Sequence, residues 1–70
     1  MAKAEIGNKL RRLRFDNNEM TQQQLATQAG CTRQTILLLQ QERYVPSLAL
    51  ALRIARVFKA PVEDVFELAD

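Results

Sequence analysis

Thr21 and Thr32 stand eleven residues apart with Gly30 between them, and this spacing constrains the chain more than any other feature. The stretch Thr21–Gln41, TQQQLATQAGCTRQTILLLQQ, reads as two short helices broken by a tight turn. The Thr21 hydroxyl can accept from backbone N–H groups that have no partner at a helix start. Leu25 and Ala29, four residues apart, then share a face. Gly30 supplies the positive φ at which helices often end, with no Cβ to clash. Thr32 opens the second helix, and Ile36 and Leu39 give it an inner stripe. Ala26 is small where two helices meeting at a steep angle need close approach. Neither helix is long enough to persist alone, so the rest of the chain has to act as their platform.

Seventy residues make one domain, and a core of that size gains from dimerisation. With 47% apolar and 26% charged residues, the chain reads as a compact domain rather than a disordered one. Two glycines, two prolines and little apolar–polar alternation favour an all-α fold. Charge is unevenly placed. Residues 1–60 hold all ten Lys/Arg against four acids, a net +6, while residues 61–70 hold four acids and no base, a net −4. A basic body with an acidic tail suits a polyanion partner; an ordinary solvated surface is the alternative.

Cys31 is the only cysteine, which rules out an internal disulfide, and its place in the turn marks it as a small core group rather than a reactive thiol. The absence of histidine removes the commonest general base and metal ligand. There is also no glycine-rich phosphate loop, metal-ligand spacing or nucleophile–base pair, so no catalysis, metal or cofactor is expected. No apolar run approaches a membrane span and no signal-peptide pattern opens the chain. The cytoplasm is therefore the expected compartment, with no membrane partner.

Along the chain, residues 1–5 carry no structural signal and are expected to be loose. Ile6 can pack as a short extended piece. A first helix begins near Asn8, a candidate cap, with Leu10 and Leu13 inward, and Asp16-Asn17-Asn18 ends it. The cluster Arg11, Arg12 and Arg14 reads equally as a solvated face or a phosphate-contacting one. After the helical pair, Arg43–Ser47 is a loop in which Pro46 forbids helix continuation. Ser47 caps the longest helix, with an inner stripe of Leu48, Ala51, Ile54, Ala55 and Phe58. Leu50 and Val57, seven apart, are left for a subunit interface or for scattered surface exposure. Pro61 opens a final short helix with Glu63 and Asp64 at its positive end. Phe66-Glu67-Leu68 alternates, which permits a terminal strand pairing with the same residues of a second subunit.

The residues then match a known pattern. Leu10–Arg14 reads L-x-x-L-R, Met20–Ala26 reads M-T-Q-x-x-L-A, and Gly30 follows. Thr32–Ile36 reads T-R-Q-T-I, Arg43–Leu48 reads R-Y-x-P-S-L, and Ile54-Ala55 closes the series. In order and at this spacing, the chain resembles the phage repressor/Cro-like helix-turn-helix family, also called the xenobiotic-response-element family, over about residues 6–66. The likeness is greatest to its compact stand-alone repressors. The resemblance implies an all-α, five-helix lambda-repressor-like domain (residues 1–70, with the helix-turn-helix unit at 21–41 and an acidic segment at 61–70) and a short C-terminal strand at a dimer interface. It implies a sequence-specific repressor that binds double-stranded DNA as a homodimer.

On that likeness Thr32, Arg33, Gln34 and Thr35 face the major groove, where Arg pairs with guanine and Gln with adenine. Gln22 matches a phosphate-contacting glutamine, Arg43 and Tyr44 match further backbone contacts, and Arg12 joins them. The expected dimer residues are Leu50, Val57, Phe66 and Leu68. Three positions depart from the family. Gln40 stands where Glu often pairs with the arginine kept here as Arg14. Leu37 and Leu38 replace small or polar residues, and a leucine there meets a thymine methyl group or another protein. Glu42 stands where many members have glycine. These departures motivate the alternative of a protein-interaction module, an antitoxin or anti-regulator, and leave room for a partner regulatory protein.

Overall fold

The computed structural model describes residues 5–68. In chain order it runs β1 (Ile6–Asn8), α1 (Leu10–Asp16), α2 (Gln22–Ala29), α3 (Arg33–Gln40), α4 (Leu48–Val57), one 3-10 turn (Val62–Asp64) and β2 (Phe66–Leu68). Four α-helices are therefore present where five were expected. The segment after Pro61 closes only i+3 hydrogen bonds, Asp64 N–H to Pro61 O at 2.9 Å and Val65 N–H to Val62 O at 3.0 Å. It cannot lengthen into an α-helix because Phe66 already belongs to a strand.

That strand also differs from expectation. β2 pairs antiparallel with β1 of the same chain, in the register Ile6↔Leu68, Gly7↔Glu67, Asn8↔Phe66. The alternation in Phe66-Glu67-Leu68 thus serves an internal sheet that ties the two ends of the domain together. Most of the expected loose N-terminus, and Asp70 of the acidic segment, lie outside the described residues.

Side chains cap the helices as their sequences require. Thr21 Oγ1 accepts from Gln24 N–H at 3.0 Å while Gln24 Oε1 accepts from Thr21 N–H at 2.8 Å, a reciprocal box over the start of α2. Thr32 and Ser47 accept from the third helical residue of α3 and α4, Thr35 and Leu50, at 3.1 Å each. At α1 the cap position falls to Lys9, whose side chain does not cap. Asn8 instead reaches forward, its Oδ1 accepting from Leu10 N–H at 3.1 Å.

The core gathers Leu10, Leu25, Ile36, Leu39, Ile54 and Val65, all fully buried, from every helix and the 3-10 corner. Ala26 and Ala29 are fully buried beside them, so their small side chains allow α2 to lie against α3 and α4. Along α4 the inner stripe is Leu50, Ala51, Ile54 and Ala55, with Phe58 half-buried against the same core. Leu48 is 72% exposed, contrary to expectation, and Leu50 is buried. Leu50 stands four residues before Ile54 and Phe58 four after, so these three lie in line on the core side. Leu48 shares its side of the helix with Leu52 and faces outward. Leu50 is thereby removed from any interface, and Val57 packs half-buried against the core.

Three helices end on a residue in the left-handed region: Gly30 (φ 75°), Glu42 (φ 58°) and Lys59 (φ 55°). After α3, Glu42 N–H returns to Leu39 O and Arg43 N–H to Leu38 O, both at 3.0 Å. After α4, Lys59 N–H returns to Arg56 O and Ala60 N–H to Ala55 O, both at 3.1 Å. This paired pattern satisfies the last carbonyls and demands a positive φ, which costs a residue with a Cβ about 1 kcal/mol. Lys59→Gly is therefore expected to stabilise the domain by about 1 kcal/mol, raising the thermal midpoint by roughly 4–8 °C. Gly30→Ala is expected to lower it by a similar amount. A Cβ there meets nothing nearer than Arg53 Nε at 3.8 Å, so the loss is conformational and not steric. Calorimetry on both variants checks the pair of signs.

Candidate nucleic-acid interface

The first turn of α3 presents four polar residues that separate into two kinds. Thr32 Oγ1 accepts from Thr35 N–H and lies 3.0 Å from the Thr35 hydroxyl, so both threonines are engaged in starting the helix. Arg33 and Gln34 are exposed, and among the described residues no hydrogen bond occupies either side chain. These two carry the long, directional donors and acceptors of the turn.

The start of α2 supplies a second polar element. Thr21 takes up Gln24 N–H, and Leu25 N–H bonds Thr21 O, which leaves the backbone N–H groups of Gln22 and Gln23 without an acceptor among the described residues. They form the positive end of an eight-residue helix, with the half-buried Gln22 side chain beside them. In the α3–α4 loop Arg43 and Tyr44 are exposed. Arg12, on α1, is also exposed and holds Asp16 at 3.2 Å across one helical turn. Leu37 and Leu38 are both half-buried. Leu37 lines a cleft against α1, opposite Phe15.

The pieces are held in register by one buried-side arginine. Arg14 donates from Nε to Gln40 Oε1 at 2.8 Å and from Nη1 to Met20 O at 2.8 Å. Partial burial, with the positive charge of Arg11 nearby, pushes the Arg14 pKa below its ordinary value. Gln40 thus keeps the arginine partner that a Glu would have at this position, in a bond where only Arg14 is charged. Gln40→Glu is therefore expected to strengthen the junction by about 1 kcal/mol at neutral pH, since charged pairs bond more strongly than half-charged ones. The new carboxyl would gain a cationic partner on folding, so its folded pKa falls. The added stability is present above the unfolded carboxyl pKa and is lost as acid titrates the folded state. Urea titrations of both forms at neutral and acid pH measure it.

Two positioning contacts escape sequence reading. Asn8 Nδ2 donates to Leu39 O at 2.6 Å, binding the end of α3 to β1. Arg53 Nε donates to Ala29 O at 2.8 Å and closes the end of α2. Both span more than twenty residues, and neither has a local signature. Cys31 is half-buried in the turn and packs against the core. Burial raises its thiol pKa, opposed in part by Arg53, so the group stays a thiol near neutrality.

Of the four expected interface residues of a dimer, only Leu68 is well exposed, at 73%. Leu50 and Phe66 are buried and Val57 is half-buried, because each completes the domain's own core. Among the described residues, no helix is long and apolar enough to cross a membrane.

This arrangement of two short capped helices about a left-handed glycine, with a polar first turn on the second, defines a helix-turn-helix domain. Residues 5–68 match the helix-turn-helix domain family over nearly the whole chain, and the protein belongs to that family. An uncharacterised HTH-type transcriptional regulator of Archaeoglobus fulgidus is 53% identical over 47 residues, 67% of this chain and 66% of that protein. One from Methanocaldococcus jannaschii is 43% identical over 63 residues, covering 90% of this chain and 94% of its own length. A Bacillus subtilis protein of the same description is 44% identical over 50 residues, 71% of this chain and 76% of its own.

Proposed function

We propose that the protein is a sequence-specific DNA-binding transcription regulator, a repressor of the compact phage repressor/Cro-like type, acting in the cytoplasm as a homodimer. The observation that carries this reading is the pair Arg33 and Gln34. They stand exposed and unengaged on the first turn of α3, while the Thr32 and Thr35 hydroxyls fix that turn. Laid in a major groove, Arg33 suits guanine O6/N7 and Gln34 suits adenine N6/N7. Thr32 and Thr35 lie against the same base edges through their methyl groups, and Leu37 adds an apolar contact. The open N–H groups of Gln22 and Gln23 suit a phosphate, with Gln22, Arg12, Arg43 and Tyr44 setting the position along the backbone. The names of the relatives, all HTH-type transcriptional regulators, support the same reading.

Selection of bound sites from random DNA tests it. A pseudo-palindrome is expected, with half-site centres roughly 34 Å apart. Arg33→Ala should cost about 1–3 kcal/mol and relax preference at one base pair per half-site. Salt-insensitive binding, or unchanged preference in Arg33→Ala, would sink the proposal.

The dimer surface is reassigned to exposed residues. Leu48 and Leu52, 72% and 48% exposed, stand one turn apart on the outer side of α4. Val62 lines both the hollow beside Leu52 and the groove that contains Leu68, so the apolar surface is continuous between them. Arg56 and Lys59 border the first and Glu63 and Glu67 the second, a charge arrangement that complements itself about a two-fold axis. Leu52→Glu is expected to shift the protein to monomer in sedimentation while leaving the monomer folded, and to weaken operator binding at least tenfold.

A protein-interaction module on the same fold is the second reading. The half-exposed Leu37, set in an apolar-floored cleft rather than wholly in the polar first turn, favours it. Binding of a stoichiometric protein partner with no DNA affinity at low salt would select this reading.

A further inference from the structure

A cleft of about 870 Å³ lies between α1 and α3, and its lining includes Lys9, Arg11, Arg12, Phe15, Leu37 and Gln41. Its walls have two chemistries. Phe15 is 66% exposed, a large aromatic side chain on α1 that does not serve the core, and it faces Leu37 of α3 across the opening. Around them stand three cations. Lys9 and Arg11 are exposed and engage no acid among the described residues. Arg12 holds only the exposed Asp16, a contact weak enough to exchange.

We propose that this cleft docks an acidic segment of a partner protein, seating an apolar side chain between Phe15 and Leu37 and its carboxylates on Lys9 and Arg11. Charge complementarity sets the sign of the occupant and the apolar floor sets its class. A nucleic-acid backbone would satisfy the cations but has no side chain to fill the space between an aromatic ring and a leucine. A peptide carrying Leu or Phe among acids satisfies both, in the manner of an apolar anchor ringed by polar contacts. The volume is within the range of sites that bury a small ligand, enough for several side chains of a short segment. Of the chain's own described acids after α4, Glu63 and Glu67 border a groove with Phe66 and Leu68 whose lining shares no residue with this cleft. The cleft shares Arg12 and Leu37 with the proposed DNA contacts but neither Arg33 nor Gln34, so peptide capture is testable apart from base reading.

The experiment is selection from a random twelve-residue peptide library displayed on phage, with the full-length protein as bait. Enrichment of peptides that combine Asp or Glu with Leu or Phe is expected. Phe15→Ser should weaken the enriched peptides at least tenfold, and the double substitution Lys9→Glu, Arg11→Glu should abolish them. Both changes fall on exposed side chains, and circular dichroism confirms that each variant folds. Peptides remade with Lys in place of their acids should then bind the double variant, a rescue that unfolding could not produce. Arg33→Ala should leave capture unchanged, which separates this outcome from failure of the DNA reading. The proposal is overturned if no peptide is enriched, if enriched peptides lack acids, or if Phe15→Ser leaves their binding intact. It is also overturned if Phe15→Ser and the charge reversals lower DNA affinity alone, which would place the cleft in the DNA surface.

Discussion

Arg14 is the contact on which the rest of the arrangement depends. Its side chain lies at the end of α1, and its two hydrogen bonds reach the turn before α2 and the last residue of α3. Asn8 makes a similar three-way junction among β1, α1 and α3. Among the described residues, only Arg14 ties α1 to both the turn into α2 and α3 with side-chain donors alone. An arginine can do so because its donors form a rigid planar fork, so fixing one bond aims the other. The consequence is geometric. The helix carrying Arg33 and Gln34 has its start fixed by Thr32 and its end fixed by Arg14 and by Asn8, which donates to Leu39 O. A two-turn helix has little stability of its own, and clamping both ends is what holds its exposed first turn in one orientation.

The same short helices show how little of their stability is local. Each must stop within ten residues, and three of them stop by turning into the left-handed region. Only α2 uses glycine for this. At Glu42 and Lys59 the chain accepts a strained residue because the returning N–H groups satisfy carbonyls that would otherwise be left open at a partly covered helix end. The cost is borne by the packing of Leu39 and Ile54 immediately upstream, both of which are essentially buried. Tertiary burial overrides backbone preference here, at the ends of α3 and α4.

This division between local and long-range causes explains what the sequence made legible. Thr21, Thr32, Ser47 and Gly30 act through atoms within a few residues of themselves, and each cap and turn expected from them is present. Leu25, Ile36 and Ile54 were legible for a similar reason, since helical spacing alone puts them on one face. Leu48 and Leu50 were not. Ala51, Ile54 and Ala55 fit a stripe that extends to either leucine, and only the position of the neighbouring helices selects Leu50. Phe66-Glu67-Leu68 announced a strand but not its partner, because three alternating residues carry no record of which edge they meet. The Arg14–Gln40 bond was legible only through family likeness, and the Asn8–Leu39 and Arg53–Ala29 bonds had no signal. For the proposed site, the polar first turn of α3 was readable as a stretch of sequence. The separation of Thr32 and Thr35, which cap, from Arg33 and Gln34, which remain open, required the hydroxyl geometry.

That separation bears on why one copy of this domain is a poor reader by itself. On the proposed function, two unengaged side chains per domain give two directional base contacts, each worth about 1–3 kcal/mol of discrimination. Their sum, roughly 2–6 kcal/mol, overlaps only the lower part of the 4–10 kcal/mol by which specific binding usually exceeds non-specific binding. A two-fold pair doubles the discrimination without enlarging a core that seventy residues cannot enlarge. In the proposed dimer the pair would also cover Leu48 and Leu52, which a single chain leaves exposed. The economy of the readout turn and the apolar outer side of α4 are thus two consequences of the same small size. On that proposal, a chain that spends two of the four polar side chains of this turn on starting α3 recovers specificity through symmetry.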